Sequence, residues 1–270
     1  MLKLMYITND PEVAIIAEQN GVDRIFIDLE TVGKELRQGG MNTVKSRHTV
    51  SDIVALRKVI SKSELLVRVN PIYDNSEAEI NAVIEAGADI IMLPYFHSPD
   101  EVQIFLRYVD GRVKTMLLFE TPASVECIDE ILPLDGIDEC FIGLNDLHLG
   151  LKRKFMFELL ADGTVENICI KFKAAGKSYG FGGVARVGAG LLPAERIISE
   201  HTRLGSSAVI LSRAFCDVSQ MPDKSSVAQL FASELPKIRN EELACASLSQ
   251  DALNANHTEV QKIVDQIISR

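Results

Sequence analysis

Lys114-Thr115-Met116-Leu117-Leu118-Phe119-Glu120-Thr121-Pro122 begins a unit that recurs along the whole chain. An apolar run of strand length ends on a carboxylate, and Thr121-Pro122 starts a helical pattern that continues to Leu132. A second apolar run over 139–144 follows and leads into Asn145-Asp146. Pro is favoured at the first helical position because the N–H it lacks would have no partner inside the helix. Strands covered by helices on both faces read as continuous Val, Ile, Leu and Phe runs rather than as alternating ones, which is the pattern here.

Working outward, eight such runs occur, at 3–8, 24–30, 64–70, 89–94, 114–120, 139–144, 178–185 and 208–212. Helical patterns separate them at 11–20, 50–62, 76–86, 99–109, 122–132, 165–175 and 193–204, with Gly21, Gly87, Gly176 and Gly205 as stops. Strict alternation without a break in composition predicts an α/β fold, a (β/α)8 TIM barrel over 1–220, followed by C-terminal helices over 221–270 in the same domain. An open doubly wound sheet is the competing architecture. It would more often carry a glycine-rich phosphate loop after the first strand, and Thr8-Asn9-Asp10-Pro11 is nothing like one.

The 270 residues are 47% hydrophobic, which excludes disorder driven by low hydrophobicity. With 28 basic against 38 acidic residues the formal charge is −10, and no long basic stretch concentrates positive charge, so nucleic acid is not an expected partner. A divalent cation fits that balance better. Cys127, Cys140, Cys169, Cys216 and Cys245 show no short ligand spacing and read as reduced thiols. The apolar start Met1–Ile7 is far shorter than a signal segment or the roughly 20 residues that span a bilayer, so the expectation is a cytoplasmic protein with no membrane partner.

Two connections are long for a barrel, 31–49 after strand 2 and 145–163 after strand 6. Both leave the carboxyl ends of strands, where barrels carry their chemistry. In the last helical stretch Val260, Ile263, Val264, Ile267 and Ile268 form an apolar stripe that must be buried on the chain's own barrel or on a second subunit.

Candidate residues are the polar ones that end apolar strands. Strand 2 finishes with Asp28 and Glu30, strand 3 with Arg68 and Asn70, and strand 5 with Glu120, while strand 6 runs through Gly143 and Leu144 to Asn145 and Asp146. Glu120 and Asp146 lie one strand–helix unit apart, and two carboxylates without soft ligands suit Mg²⁺ or Mn²⁺, with Co²⁺ a further option. The alternative makes Glu120 a helix N-terminal carboxylate and Asp146 a loop cap. Arg68 sits among Leu and Val, where a guanidinium needs a carboxylate partner such as Asp28 or Glu30, or an anionic ligand. The turn at Gly143, Leu144 and Asn145 offers successive backbone N–H groups to an anion. His48 follows Lys45-Ser46-Arg47 in the long second loop.

Taken together, Phe26-Ile27-Asp28-Leu29-Glu30, Val67-Arg68-Val69-Asn70, Leu93-Pro94, Phe119-Glu120-Thr121-Pro122 and Phe141-Ile142-Gly143-Leu144-Asn145-Asp146-Leu147 with Gly150 resemble the HpcH/HpaI aldolase and citrate lyase β-subunit family of phosphoenolpyruvate/pyruvate barrels. The resemblance implies that Glu120 and Asp146 hold a divalent metal, that Arg68 faces the carbonyl oxygen of a pyruvate-like substrate, and that the turn from Gly143 to Asp146 receives its carboxylate. It implies cleavage or formation of 4-hydroxy-2-oxo acids through a pyruvate enolate, with a 2-oxo acid and an aldehyde as small-molecule partners. It also implies a homo-oligomer, a trimer or hexamer, in which the C-terminal helix is exchanged between subunits. In the aldolase branch a His directly after the strand 2 motif works with the Asp of that motif as base. Here Thr31 occupies that place, and His48, after an insertion, is the expected equivalent, paired with Asp28.

Two further departures bear on the reaction. Leu118 replaces a Gln common two residues before the metal Glu, and Leu29-Glu30-Thr31-Val32 lacks the second acid of the acyl-CoA branch, which favours the aldolase branch over CoA-thioester lyases. A non-catalytic barrel subunit is the third reading. Lys34, Arg37, Lys45 and Arg47 in the insertion, with Lys152, Arg153 and Lys154 after strand 6, would either be solvated or bind an anionic aldehyde half.

Overall fold

Each of the eight apolar runs forms a strand in the computed structural model, which describes residues 1–32 and 48–270. The strands are β1 Lys3–Ile7, β2 Arg24–Asp28, β3 Glu64–Arg68, β4 Ile90–Leu93, β5 Lys114–Phe119, β6 Glu139–Ile142, β7 Ser178–Val184 and β8 Ala208–Leu211. All pair in parallel with their sequence neighbours, and β1 pairs with β8 to close the barrel. The outer helices used below are α1 Pro11–Gln19, α2 Val50–Arg57, α3 Ser76–Glu85, α4 Pro99–Val109, α5 Pro122–Glu126, α6 Ile128–Ile131, α7 Leu144–Gly150, α8 Glu158–Ala161, α9 Thr164–Ala174, α10 Ala194–Leu204, α11 Lys224–Ala246 and α12 Gln250–Ile268.

Alternation along the strands sorts the barrel interior into three levels. The register Arg24↔Glu64, Phe26↔Leu66, Asp28↔Arg68 puts residues of one kind opposite each other at each level. At the amino-terminal mouth the fully buried Arg24 donates to Glu64 at 2.8 Å and to both oxygens of Glu139 at 2.7 and 2.6 Å. Lys114 and Lys3 pair with the same two carboxylates. Breaking such a buried pair by removing one partner costs about 3–5 kcal/mol, so this end secures the fold. Above it, Met5, Phe26, Leu66, Ile90, Met92, Met116, Leu118 and Phe141 fill the middle. Gly180 makes room for Phe141, since a Cβ there would lie 2.7 Å from the ring and 2.4 Å from the Ala208 carbonyl oxygen. The third level, at the carboxyl ends, is polar.

Several expected boundaries move. The pattern over 122–132 is two helices, α5 and α6, broken at Cys127. The connection 145–163 contains α7 and α8, short helices that bury Leu144, Leu147, Leu159 and Leu160 but span too few turns to show a period. Of the C-terminal stripe, Val260 and Val264 are buried within the same chain, Ile263 and Ile268 pack half-buried against the same core, and Ile267 is half-buried. Polar contacts reinforce that packing. His257 and Asn256 of α12 bond the buried Glu200 of α10, at 3.0 and 3.1 Å. Gln261 donates to the Ala161 carbonyl of α8. All five cysteines are free thiols, and burial pushes Cys140 and Cys169 up to about 12, which marks them as packing groups. Among the described residues no helix is long and apolar enough to cross a membrane.

One buried histidine gives the fold an acid-sensitive term. His201 stacks on Phe181 with ring centroids 3.8 Å apart, and its Nδ1 lies 2.8 Å from Ser206 Oγ. Burial pushes its pKa from 6.5 down to about 3. The unfolded chain therefore takes up a proton from pH 6.5 downward while the folded chain does not, so stability is complete above 6.5 and falls toward pH 3. Its share of the slope is about 1.4 kcal/mol per pH unit. His201→Gln is expected to flatten that limb, read as denaturant midpoints above and below pH 6.5; an unchanged slope would show that other groups carry the acid sensitivity.

Candidate active site

Asp28 ends β2 and Glu30 follows two residues later on the same face, while Arg68 ends β3 directly opposite Asp28. The Arg68 guanidinium grips Asp28 edge-on: Nε donates to Oδ1 and Nη2 to Oδ2, both at 2.9 Å, and Nη2 also lies 3.3 Å from Glu30 Oε2. The Phe26 ring lies below, 5.8 Å from Cζ. Burial alone would lower the Arg68 pKa, but the charges of Asp28 and Glu30, the bonds to Asp28 and the charge of Glu120 outweigh it and raise the pKa above its ordinary value. The ion pair weighed for Arg68 is thus formed with both carboxylates, and 16% of the side chain is still exposed at the mouth.

The long second loop is tied to these strand ends on both sides. At its start the Thr31 and Val32 N–H groups donate to Asn70 Oδ1 at 2.8 and 2.9 Å, and Asn70 Nδ2 donates to Glu79 of α3 at 2.7 Å. At its end the Asp28 backbone N–H donates to His48 Nδ1 at 3.0 Å. The next residue, Thr49, caps α2, and its N–H is received by Asp52. His48 therefore does stand beside Asp28, with its Nδ1 on the Asp28 backbone N–H, while the Asp28 carboxylate receives Arg68 and the Glu30 N–H. Of the basic residues expected to bind an anionic aldehyde half, Lys34, Arg37, Lys45 and Arg47 lie outside the described residues. Arg153 pairs with Asp162 and Lys154 donates to the Ile268 carbonyl, so both have structural partners.

Glu120 lies just past β5, 4% exposed, and its Oε1 receives the Tyr95 N–H at 3.1 Å. Tyr95 adopts a left-handed conformation, φ 48°, at the end of β4. The helix cap is Thr121, which receives the Ser124 N–H, so Glu120 is not held by capping. Across from it is Gly143, where a Cβ would stand 2.7 Å from both Cβ and Oε2 of Glu120. Only glycine keeps the flank of that carboxylate open. The chain then turns into α7, with Leu144, Asn145 and Asp146 as its first turn and the Asn145 amide donating to Asp146 Oδ1 at 3.0 Å. First-turn N–H groups have no partner within their own helix, which suits an anion. The expected turn is thus the start of a seven-residue helix.

Among the described residues no three His, Cys, Asp or Glu side chains gather as a metal cluster. The two-carboxylate set of Glu120 and Asp146 does not require one, because Mg²⁺ and Mn²⁺ keep positions for water and substrate oxygens. The hard oxygen donors and the side-chain-free Gly143 beside Glu120 fit such an ion. Asn70 stands out in the sequence as a polar residue after an apolar strand, but its role as a support, and Glu79 beneath it, carry no sequence signal.

A closed parallel barrel with its carboxylates and guanidinium gathered at the carboxyl ends of the strands is the arrangement of TIM-barrel enzymes. The sequence model of the HpcH/HpaI aldolase/citrate lyase family matches residues 3–185, and the chain belongs to that family. No curated protein matches the sequence. Among solved structures, an HpcH/HpaI aldolase from Desulfitobacterium hafniense DCB-2 superimposes with TM-score 0.61 at 16% identity, covering 78% of this chain and 86% of its own. An HpcH/HpaI aldolase/citrate lyase family protein from Burkholderia cenocepacia J2315 gives 0.63 at 16% identity, over 78% and 87%. The citrate synthase SbnG gives 0.60 at 16% identity, over 88% and 93%. At these identities the likeness is one of fold.

Proposed function

We propose that the protein is a divalent-metal-dependent, class II aldolase that cleaves or forms 4-hydroxy-2-oxo acids, with pyruvate and an aldehyde as the other side of the reaction. The observation that carries this reading is the Arg68 guanidinium, held rigidly by Asp28 at the mouth and within the field of Glu120. Glu120 and Asp146 would hold the ion, which when bound supplies a Lewis acid for the 2-oxo acid's oxygens. Arg68, already oriented, stabilises negative charge as it grows on the enolate oxygen, more than it stabilises the neutral ketone. The first-turn amides of α7 receive the carboxylate. In cleavage the C3–C4 bond breaks, its electron pair stays on C3 as the enolate, the 4-hydroxyl proton leaves to a base, and protonation at C3 gives pyruvate.

A CoA-thioester lyase is the runner-up and a non-catalytic barrel the third reading. Thr31 in place of a second acid counts against the CoA branch. Assembly as a homo-oligomer, trimer or hexamer, belongs to the proposal. A screen of Mg²⁺- or Mn²⁺-loaded protein with pyruvate and varied aldehydes, sugar aldehydes included, against acyl-CoA substrates is the test. Pyruvate-dependent aldol turnover is expected. Acyl-CoA cleavage alone would establish the runner-up, and no turnover with any of them would leave the non-catalytic barrel.

A further inference from the structure

We infer that His48 is held by the β2 backbone with its ring hydrogen on Nε2, and that it meets substrate as a hydrogen-bond donor, not as the base. The inference starts from one contact, the Asp28 backbone N–H at 3.0 Å from His48 Nδ1. A backbone amide can only donate, so Nδ1 must be the acceptor, and a neutral ring with an unprotonated Nδ1 carries its hydrogen on Nε2. For Nε2 to act as a base it would need a lone pair, which places the hydrogen on Nδ1 and sets two N–H donors against each other. The backbone around this contact is not free to yield. Asp28 is the last residue of β2, its carboxylate is clasped by Arg68, and the residue after His48 is locked into the start of α2 by Asp52.

The usual way to make a histidine a base is the reverse arrangement, in which a carboxylate receives Nδ1–H and leaves Nε2 with its lone pair. Here the Asp28 carboxylate takes the two Arg68 hydrogens and the Glu30 N–H. A neutral imidazole N–H does not give up its proton near neutral pH, so no proton is transferred from it. It lowers the energy of a developing alkoxide or enolate oxygen by hydrogen bonding, and the 4-hydroxyl proton goes to another group. The role toward substrate rests on the aldolase reading, whereas the position of the ring hydrogen does not.

The two parts are therefore tested separately. Long-range ¹⁵N–¹H correlation spectra of histidine-labelled protein, with the His48 signals identified by their loss in His48→Gln, should show an unprotonated Nδ1 and a protonated Nε2 at about pH 8, above the ordinary histidine pKa. A protonated Nδ1 overturns the inference. In the pyruvate aldol assay His48→Gln, which has a side-chain N–H donor and no basic nitrogen, should keep turnover within about tenfold of wild type. His48→Ala should lose about 100-fold, the lower end of what removing one such donor costs. Equal, large losses in both variants would make His48 a base and overturn the donor role. If wild type shows no aldol turnover, the aldolase reading fails and the spectrum alone decides the tautomer.

Discussion

Glu120→Gln and Asp146→Asn are each expected to abolish Mg²⁺ or Mn²⁺ binding measured by calorimetry, and turnover with it, while leaving the barrel folded. The fold should survive because Gln retains an acceptor for the Tyr95 N–H, and Asp146 lies at the start of a surface helix. Binding should fail because a site with two protein carboxylates loses half of its charge with either one. Even outer-shell changes cost about 10–100-fold in metal affinity, so a lost ligand should cost more than about 100-fold. Gly143→Ala extends the test without altering a donor. Its new methyl would stand 2.7 Å from Glu120 Oε2, so the carboxylate must move and affinity should fall. EDTA should silence wild type and either ion should restore it. Full activity in the chelated protein would sink the metal role.

Arg68 is expected to have the second largest effect, and here stability and turnover should separate. Arg68→Ala leaves Asp28 and Glu30 facing each other in a buried place without their cation, at a cost of about 3–5 kcal/mol. It also removes the positive charge proposed to face the enolate oxygen, worth about 10²–10³-fold in kcat. Arg68→Lys keeps the charge near Asp28 but cannot make the edge-on pair. It should recover most of the stability, read by urea denaturation, and little of the turnover. If kcat recovers in step with stability, Arg68 is an ion-pair group and nothing more.

The strand ends were legible because a parallel barrel strand is apolar along its body, so Asp28, Arg68 and Glu120 stood out as exceptions. That Arg68 needs Asp28 or Glu30 as a partner was legible too. That Arg68 would take both Asp28 and Glu30 depends on the β2–β3 register, which nothing local encodes. Arg24, Glu64 and Glu139 look in sequence like charges at strand starts, yet they form the buried seal of the opposite mouth. Asn70 and His48 were harder still, since each is defined by a backbone N–H of another segment. The helices α7 and α8 escaped because one or two turns carry too little periodicity to register.

Composition and alternation alone determined that this chain folds as eight strand–helix units with candidate site residues at the carboxyl ends of the strands. That outcome follows from local physics, as each strand must be apolar to be buried and each helix must show a period of 3.6 to cover it. Closure of β1 onto β8 and the positions of individual atoms were decided by the tertiary structure. Hydrogen bonding between strands far apart in sequence sets the register, and the tertiary structure settles that His48 Nδ1 receives the Asp28 amide, and that Gly143 leaves space beside Glu120.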